Sequence, residues 1–245
     1  MGFLKSYLRN KRIYKMKVIE MRQVFEEELN SMHVHFFQMG KAVHEAIEKS
    51  VEAFIKHDKH LAQEVIDNDI HINRLEVELE KDCIELIALQ QPVTTDLRKI
   101  ITVMKASSDL ERMADHAVSI SKSAIRVKGN KREYDIEKGI QEMSIKVLHI
   151  VRKVLDAYVI FDAQEAKKLA LLDKEVDAIG KELYTKCVQF MKDDPEIILG
   201  ATDYLRVTTY LERIGDYSTN ISEWIVYLET GKVVELNTQN HLEDI

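Results

Sequence analysis

Asp109-Leu110-Glu111-Arg112-Met113-Ala114-Asp115-His116 and Tyr210-Leu211-Glu212-Arg213-Ile214-Gly215-Asp216-Tyr217 decide the fold, because the second stretch is a rewritten copy of the first. Both carry Leu-Glu-Arg and place an Asp four residues after the Glu. Outward from them, Asp58 and Asp162, Asp69 and Asp173, Glu78 and Glu182, and Cys83 and Cys187 are separated by one shared interval, and Pro92 and Pro195 keep nearly the same one. Ordered matches at a fixed offset mark an internal duplication.

Each copy reads as three helices. The apolar spacing predicts 24–56, 60–90 and 94–126 in the first copy, and 138–159, 163–191 and 196–230 in the second. Pro92 and Pro195 fall at the approach to each third helix, where a missing N–H costs nothing. The Lys- and Gly-containing run from Val127 to Gly139 reads as the junction between copies, and the short connections inside each copy make successive helices antiparallel. The expected fold is all-α: two tandem, sequence-related three-helix bundles at 21–130 and 131–232, preceded by a basic extension at 1–20 and followed by a tail at 233–245. In the third helix, Leu97, Ile101 and Met104 run in phase with Ser108, Glu111, Asp115 and Val118, and this stripe is expected to face the bundle seam. Arg98, Lys105, Asp109, Arg112 and His116 form a separate polar stripe.

Composition supports the helical reading. Of 245 residues only 8 are Gly and 2 are Pro, as expected where turns are rare. The formal charge of -7 argues against nucleic acid as the main partner, since phosphate binding draws on a net basic face. Lys5, Arg9, Lys11, Arg12, Lys15 and Lys17 load the N-terminal segment, but no continuous apolar run accompanies them, so they are not an export signal. They read as a leader ahead of Met21, with a membrane-surface anchor as the alternative. Nothing approaches the ~18 consecutive apolar residues of a membrane span. Cys83 and Cys187 sit within helical segments and are expected as reduced, buried thiols, which suits the cytoplasm.

The chemistry resides in acidic pairs. Glu111 with Asp115, and Glu212 with Asp216, project two carboxylates from one helix face, where like charges repel unless a cation is near. The second helices supply Asp69 with Asn73 and Asp173 with Asp177, so that oxygen-bearing side chains could converge from two helices in each copy. Small neighbours, among them Ala166, Ala170 and Gly180, leave room for an ion. Oxygen donors without His or Cys suit Mg, Mn, Fe or Zn, and no Glu-x-x-His motif points to a buried di-iron oxidase. The alternative is ordinary salt bridging, with Arg112, Arg213, Lys105 and Arg206 neutralising the acids. His33, His35, His57, His60 and His71 read as surface, capping or satisfied histidines rather than ligands.

Met-Arg-Gln-Val-Phe-Glu-Glu-Glu-Leu at 21–29, the run Ile84 to Pro92 followed by Asp96-Leu97-Arg98, and the two opening octapeptides together resemble the PhoU family from about residue 21 to 230. The resemblance implies a pair of three-helix bundles with surface Glu/Asp-x-x-x-Asp motifs that hold iron or zinc clusters. It implies a negative regulator of phosphate uptake and phosphate-starvation signalling, with a phosphate transporter ATPase and a sensor histidine kinase as partners, and a homodimer. The metal candidates carried over are Asp69, Glu111 and Asp115 in the first copy and Asp173, Asp177, Glu212 and Asp216 in the second. Asn73 departs from the acidic pattern and removes one negative charge, so the first site is expected to be the weaker. Two other functions compete: a metal-independent adaptor docking basic partner surfaces, and a metal-dependent phosphohydrolase. No nucleophile–base pair or Gly-rich phosphate loop supports the latter, and the expectation is a non-enzyme.

Overall fold

The computed structural model describes residues 2–126 and 132–236; up to residue 18 it describes the backbone and the side chain of Met16 only. Helices α1 (Gly2–Lys56), α2 (Lys59–Gln90) and α3 (Thr94–Arg126) form one bundle. Helices α4 (Tyr134–Ile160), α5 (Ala163–Asp193) and α6 (Ile198–Thr230) form the other, with a short 3-10 turn, Pro195–Ile197, ahead of α6. No strand occurs among the described residues.

Local chemistry sets the boundaries, and does so twice. Each first helix ends on a residue in the left-handed conformation, His57 (φ 54°) and Phe161 (φ 55°). Each second helix then starts on an aspartate cap: Asp58 accepts from the N–H of His60 and Leu61, and Asp162 from that of Glu165. Such caps satisfy backbone donors that the first turn leaves without partners. Pro195 opens the 3-10 turn behind the Asp194 cap, as expected of proline there. Two helices start earlier than expected: α4 at Tyr134 rather than 138, taking in the end of the stretch read as the junction, and α1 at Gly2 rather than near residue 24. From Phe3 to Gln23 the chain has neither Gly nor Pro, so nothing in it stops a helix.

Within each bundle all three helices touch one another, and the bundles join through α3 against α6 and α1 against α4. Asp109 meets Asn220 and Trp224 while Arg126 meets Asp203, so α3 and α6 run antiparallel. His33 meets Tyr158 while His57 meets Glu137, so α1 and α4 do the same. The copies are therefore related by an approximate two-fold between them. The core stripe of α3 is Ile100, Val103, Ala106, Leu110, Met113 and Ala117, all essentially inaccessible. This corrects the sequence reading. Leu97, Ile101, Met104, Glu111 and Asp115 are only half-buried on the flank toward α2, and Ser108 is exposed. Ile100, Val103, Leu110 and Met113 give the true seam an apolar signal, but Ala106, Ala114 and Ala117 between them thin it beside the neighbouring Leu97–Ile101–Met104 stripe.

A buried carboxylate ties the bundles together beside the junction. Glu137, in the first turn of α4 and 4% exposed, accepts from Arg132 Nε at 2.9 Å, Arg132 Nη2 at 2.5 Å and the Tyr204 hydroxyl at 2.8 Å. His57 Nε2 lies 3.4 Å away, and Arg132 also donates to the Ile55 carbonyl at 2.7 Å. Burial pushes the Glu137 carboxyl up, but the Arg132 and Tyr204 hydrogen bonds and the Arg132 charge outweigh it and hold it below its ordinary range. Both cysteines are buried and free, as expected. No helix of the described residues is long and apolar enough to cross a membrane.

Candidate functional site: two carboxylate faces

In the first repeat the acids lie where α2 packs along α3. Asp69 Oδ2 accepts from Asn73 Nδ2 at 3.2 Å, while Asp69 Oδ1 and Asn73 Oδ1 are buried oxygens with no hydrogen-bond partner. Burial raises the Asp69 carboxyl, and the Asp115 charge raises it further; the Asn73 hydrogen bond and Lys122 oppose this. Glu111 is raised by burial, then by Asp115, Glu76 and Asp69, with Arg112 opposing. Arg112 stands 3.6 Å from Glu111 and 3.4 Å from Asp115. The sequence reading did not name Glu76. It is raised by burial and by Glu80, and its charge reaches Glu111, so it is a fourth acid of this face.

The second repeat builds the same face more tightly. Asp173 is 2% exposed, and its Oδ1 lies against Gly215, where a methyl group would strike it. A methyl on Gly180 would strike Glu212 Oε1 in the same way. The equivalent positions in the first repeat are Ala114 and Glu76, so this pair of glycines is particular to the second face. Close backbone approach is what glycine in a helix interior provides, against a propensity cost of about 1 kcal/mol. Glu212 is raised by burial, then by Asp177 and Asp216, with Lys181 and Arg213 opposing. Asp216 is raised by burial and by Asp177, and lowered by Arg213, which stands 3.3 Å away.

The structure thus brings Asp69, Glu111 and Asp115 onto one face and Asp177, Glu212 and Asp216 onto another, close enough to feel one another's charge, with Asp173 buried against Gly215 beside them. As the side chains stand, no three His, Cys, Asp or Glu groups among the described residues are near enough to hold one ion. Of the cations expected to neutralise the acids, Arg112 and Arg213 do so; Arg206 pairs instead with Asp203 at 3.7 Å, and Lys105 lies beside Asp109. The donor set still fits a hard or borderline cation. It is all oxygen, includes orphaned buried oxygens, and carries carboxylates whose protonation is favoured by burial and mutual repulsion, a bias that a cation reverses.

Between the two faces, on the α3–α6 surface, His116 stacks with Tyr210 and Tyr217 at centroid distances of 5.5 and 5.8 Å. Asp109 accepts from Asn220 at 3.2 Å and from the Trp224 indole at 3.0 Å. These polar contacts between repeats were not legible as such, because they join side chains on helices far apart in the chain.

Comparison with known proteins agrees with this architecture. The PhoU domain family matches the chain twice, over residues 36–124 and 140–225. A phosphate-specific transport system accessory protein PhoU homolog from Clostridium acetobutylicum is 39% identical over 217 residues, covering 88% of this chain and 99% of that protein. Its Streptococcus pneumoniae counterpart is 36% identical, covering 89% of this chain and 100% of that protein. Crystal structures of the S. pneumoniae phosphate transport system regulatory protein PhoU and of Pseudomonas aeruginosa PhoU both superpose with a TM-score of 0.81, at 34% and 33% identity. The first covers 86% of this chain and 99% of that one, the second 85% and 100%.

Proposed function

The chain belongs to the PhoU family, and from that membership we propose that it is a cytoplasmic, non-catalytic, negative regulator of phosphate uptake and phosphate-starvation signalling. The observation that carries this is the match over both repeats to proteins named as accessories of phosphate-specific transport, at 39% identity with nearly the whole relative covered. The partners are the ATPase of the phosphate transporter, whose activity the chain restrains, and a sensor histidine kinase, to which it reports; the working form is a homodimer.

The carboxylate faces supply the chemistry of the site. Asp69, Glu111 and Asp115 would hold a metal on the first face, and Asp173, Asp177, Glu212 and Asp216 on the second, with iron or zinc as the favoured ions and manganese or magnesium as the other candidates. A bound cation supplies charge neutralisation, converting an acidic face into a shaped, partly neutral one for partner recognition. Gly180 and Gly215 support this reading by letting Glu212 and Asp173 press against neighbouring backbone, and Asn73 makes the first face the poorer one. The spread of the side chains supports a second reading, a metal-independent adaptor whose acidic faces dock basic surfaces directly.

The test is complementation. A bacterial strain deleted for its own PhoU homologue is supplied with this chain, and phosphate uptake and a phosphate-starvation reporter are followed in phosphate-rich medium. The expected result is reduced uptake and a silent reporter. Uptake and reporter signal equal to those of the empty deletion strain would remove the regulatory assignment.

A further inference from the structure

Apart from the carboxylate faces, the first repeat carries an apolar feature that its fold does not need. Ile70, Val77 and Ile84 recur at heptad spacing along α2 and are 57%, 61% and 53% exposed. A stripe at that spacing on a straight helix runs about 21 Å from first to last residue. The duplication serves as an internal control: the equivalent positions on α5 are Lys174, Lys181 and Val188, with the two lysines exposed. The same bundle therefore forms with charge at two of the three places, and packing does not explain isoleucine and valine there.

The borders of the stripe describe what would cover it. Asn73 and Glu80 sit between its members at i+3, on the edge that leads to α3. That edge opens into a groove of about 500 Å³ bounded by α2, α3 and α6 and lined by Glu76, Glu80, Asp109, Glu223, Lys105 and Trp224. Four carboxylates, Glu76, Glu80, Asp109 and Glu223, line it against one lysine, so the groove presents an excess of acid to a cationic side chain. Trp224, half-buried with its indole N–H on Asp109, adds an aromatic surface able to receive a guanidinium or ammonium group. The equivalent groove of the second repeat, about 420 Å³ and lined by Gly180, Lys181, Tyr184 and Glu212 among others, lacks this charge density.

We propose that the Ile70–Val77–Ile84 stripe and the adjoining acidic groove form a docking surface for a basic amphipathic helix of a partner protein. The partner helix lays apolar residues at heptad spacing along α2 and reaches lysine or arginine side chains over Glu76 and Glu80 toward Trp224. Helix-on-groove docking reads apolar anchors at such spacing, and the charged edge sets direction and rejects acidic helices. A second copy of the chain is the poorer occupant: pairing α2 with an antiparallel copy of itself by a two-fold sets acidic edge against acidic edge. This surface uses no metal; it shares Glu76 with the first carboxylate face, and the chelator in the test separates the two readings.

The test uses the full chain in the presence of chelator and a fluorescein-labelled helical peptide of roughly 21 residues with leucine at heptad positions and lysine along one edge, followed by anisotropy. The parent is expected to bind saturably. The I70K/V77K variant, which installs the residues of the second repeat, weakens binding by about tenfold or more, and E76Q/E80Q by about threefold or more, both with unchanged helical circular dichroism. A peptide with the same leucines and glutamate in place of lysine does not bind. The proposal is overturned by equal binding to parent and I70K/V77K, by equal binding of the glutamate peptide, or by an absence of binding to the parent. It is also overturned if I70K/V77K turns a sedimenting dimer into a monomer, which would assign the stripe to a second copy.

Discussion

Replacing Glu137 by glutamine isolates the buried charge beside the junction of the repeats. The carboxylate is 4% exposed and accepts three hydrogen bonds at 2.5–2.9 Å, two from Arg132 and one from Tyr204. A carboxamide keeps one acceptor oxygen and turns an NH2 toward the guanidinium, so the ion pair and at least one charge-assisted hydrogen bond are lost. Bonds to charged groups contribute about 1.5–3 kcal/mol, and the half-exposure of Arg132 places the loss toward the lower end, about 2 kcal/mol. For a chain of this size that corresponds to a fall in Tm of roughly 4–8 °C, read by calorimetry at pH 7. The pH dependence supplies a second check. The folded-state pKa of Glu137 lies below its ordinary value of 4.5, so its stabilisation is fully present above that value and is lost as pH falls through the folded pKa. The gap between parent and E137Q should therefore be constant near neutrality and close only in acid. Equal melting at pH 7, or a gap indifferent to acid, refutes the reasoning.

Other outcomes follow from the same geometry. His33, whose Nδ1 meets the Tyr158 hydroxyl at 3.1 Å, is pushed down to about 4, first by burial and then by Lys99; the folded chain resists protonating it, so stability falls as pH drops from about 6.5 toward 4. H33N should flatten that slope in urea titrations across the range, and an unchanged slope counts against it. Burial raises the thiols of Cys83 and Cys187 to about 12 and 11, so both should resist iodoacetamide in the native chain and react in guanidinium; native labelling at pH 8 contradicts this. Gly215→Ala gains about 1 kcal/mol of helix propensity, but its methyl displaces the buried Asp173 carboxylate, giving a net loss of about 1–2 kcal/mol by urea unfolding. A stabilised G215A would mean that Asp173 is not held against α6.

Much of this architecture was legible because the chain states it twice. The two Leu-Glu-Arg motifs, the aspartates at 58 and 162 that recur at the repeat interval, and the two prolines set the helix count, order and turns; that the aspartates cap α2 and α5 is seen in the structure. The start of α1 was misplaced because a segment without stop signals carries no boundary to read. The α3 seam was read on its flank because two apolar stripes adjoin, and the buried one is diluted by alanine and serine, the residues that let helices approach closely. The acidic faces were visible as i,i+4 pairs on α3 and α6, and their α2 and α5 partners came from the repeat. Glu76 forms an i,i+4 pair with Glu80 that carries the same local signature, but its place beside Glu111, like the Tyr204 contact of Glu137, depends on the packing of different helices. Gly215 was legible only as a residue type; its work, admitting Asp173, appears once α5 lies on α6.

The most direct test of the account is the metal content of the untagged full chain purified without chelator, alongside the E212A/D216A variant. The account predicts stoichiometric iron, zinc or manganese in the parent and a matching loss in the variant, with helical circular dichroism unchanged. Metal absent from the parent even after reconstitution, or equal in both proteins, would contradict it and leave the acidic faces to partner docking alone.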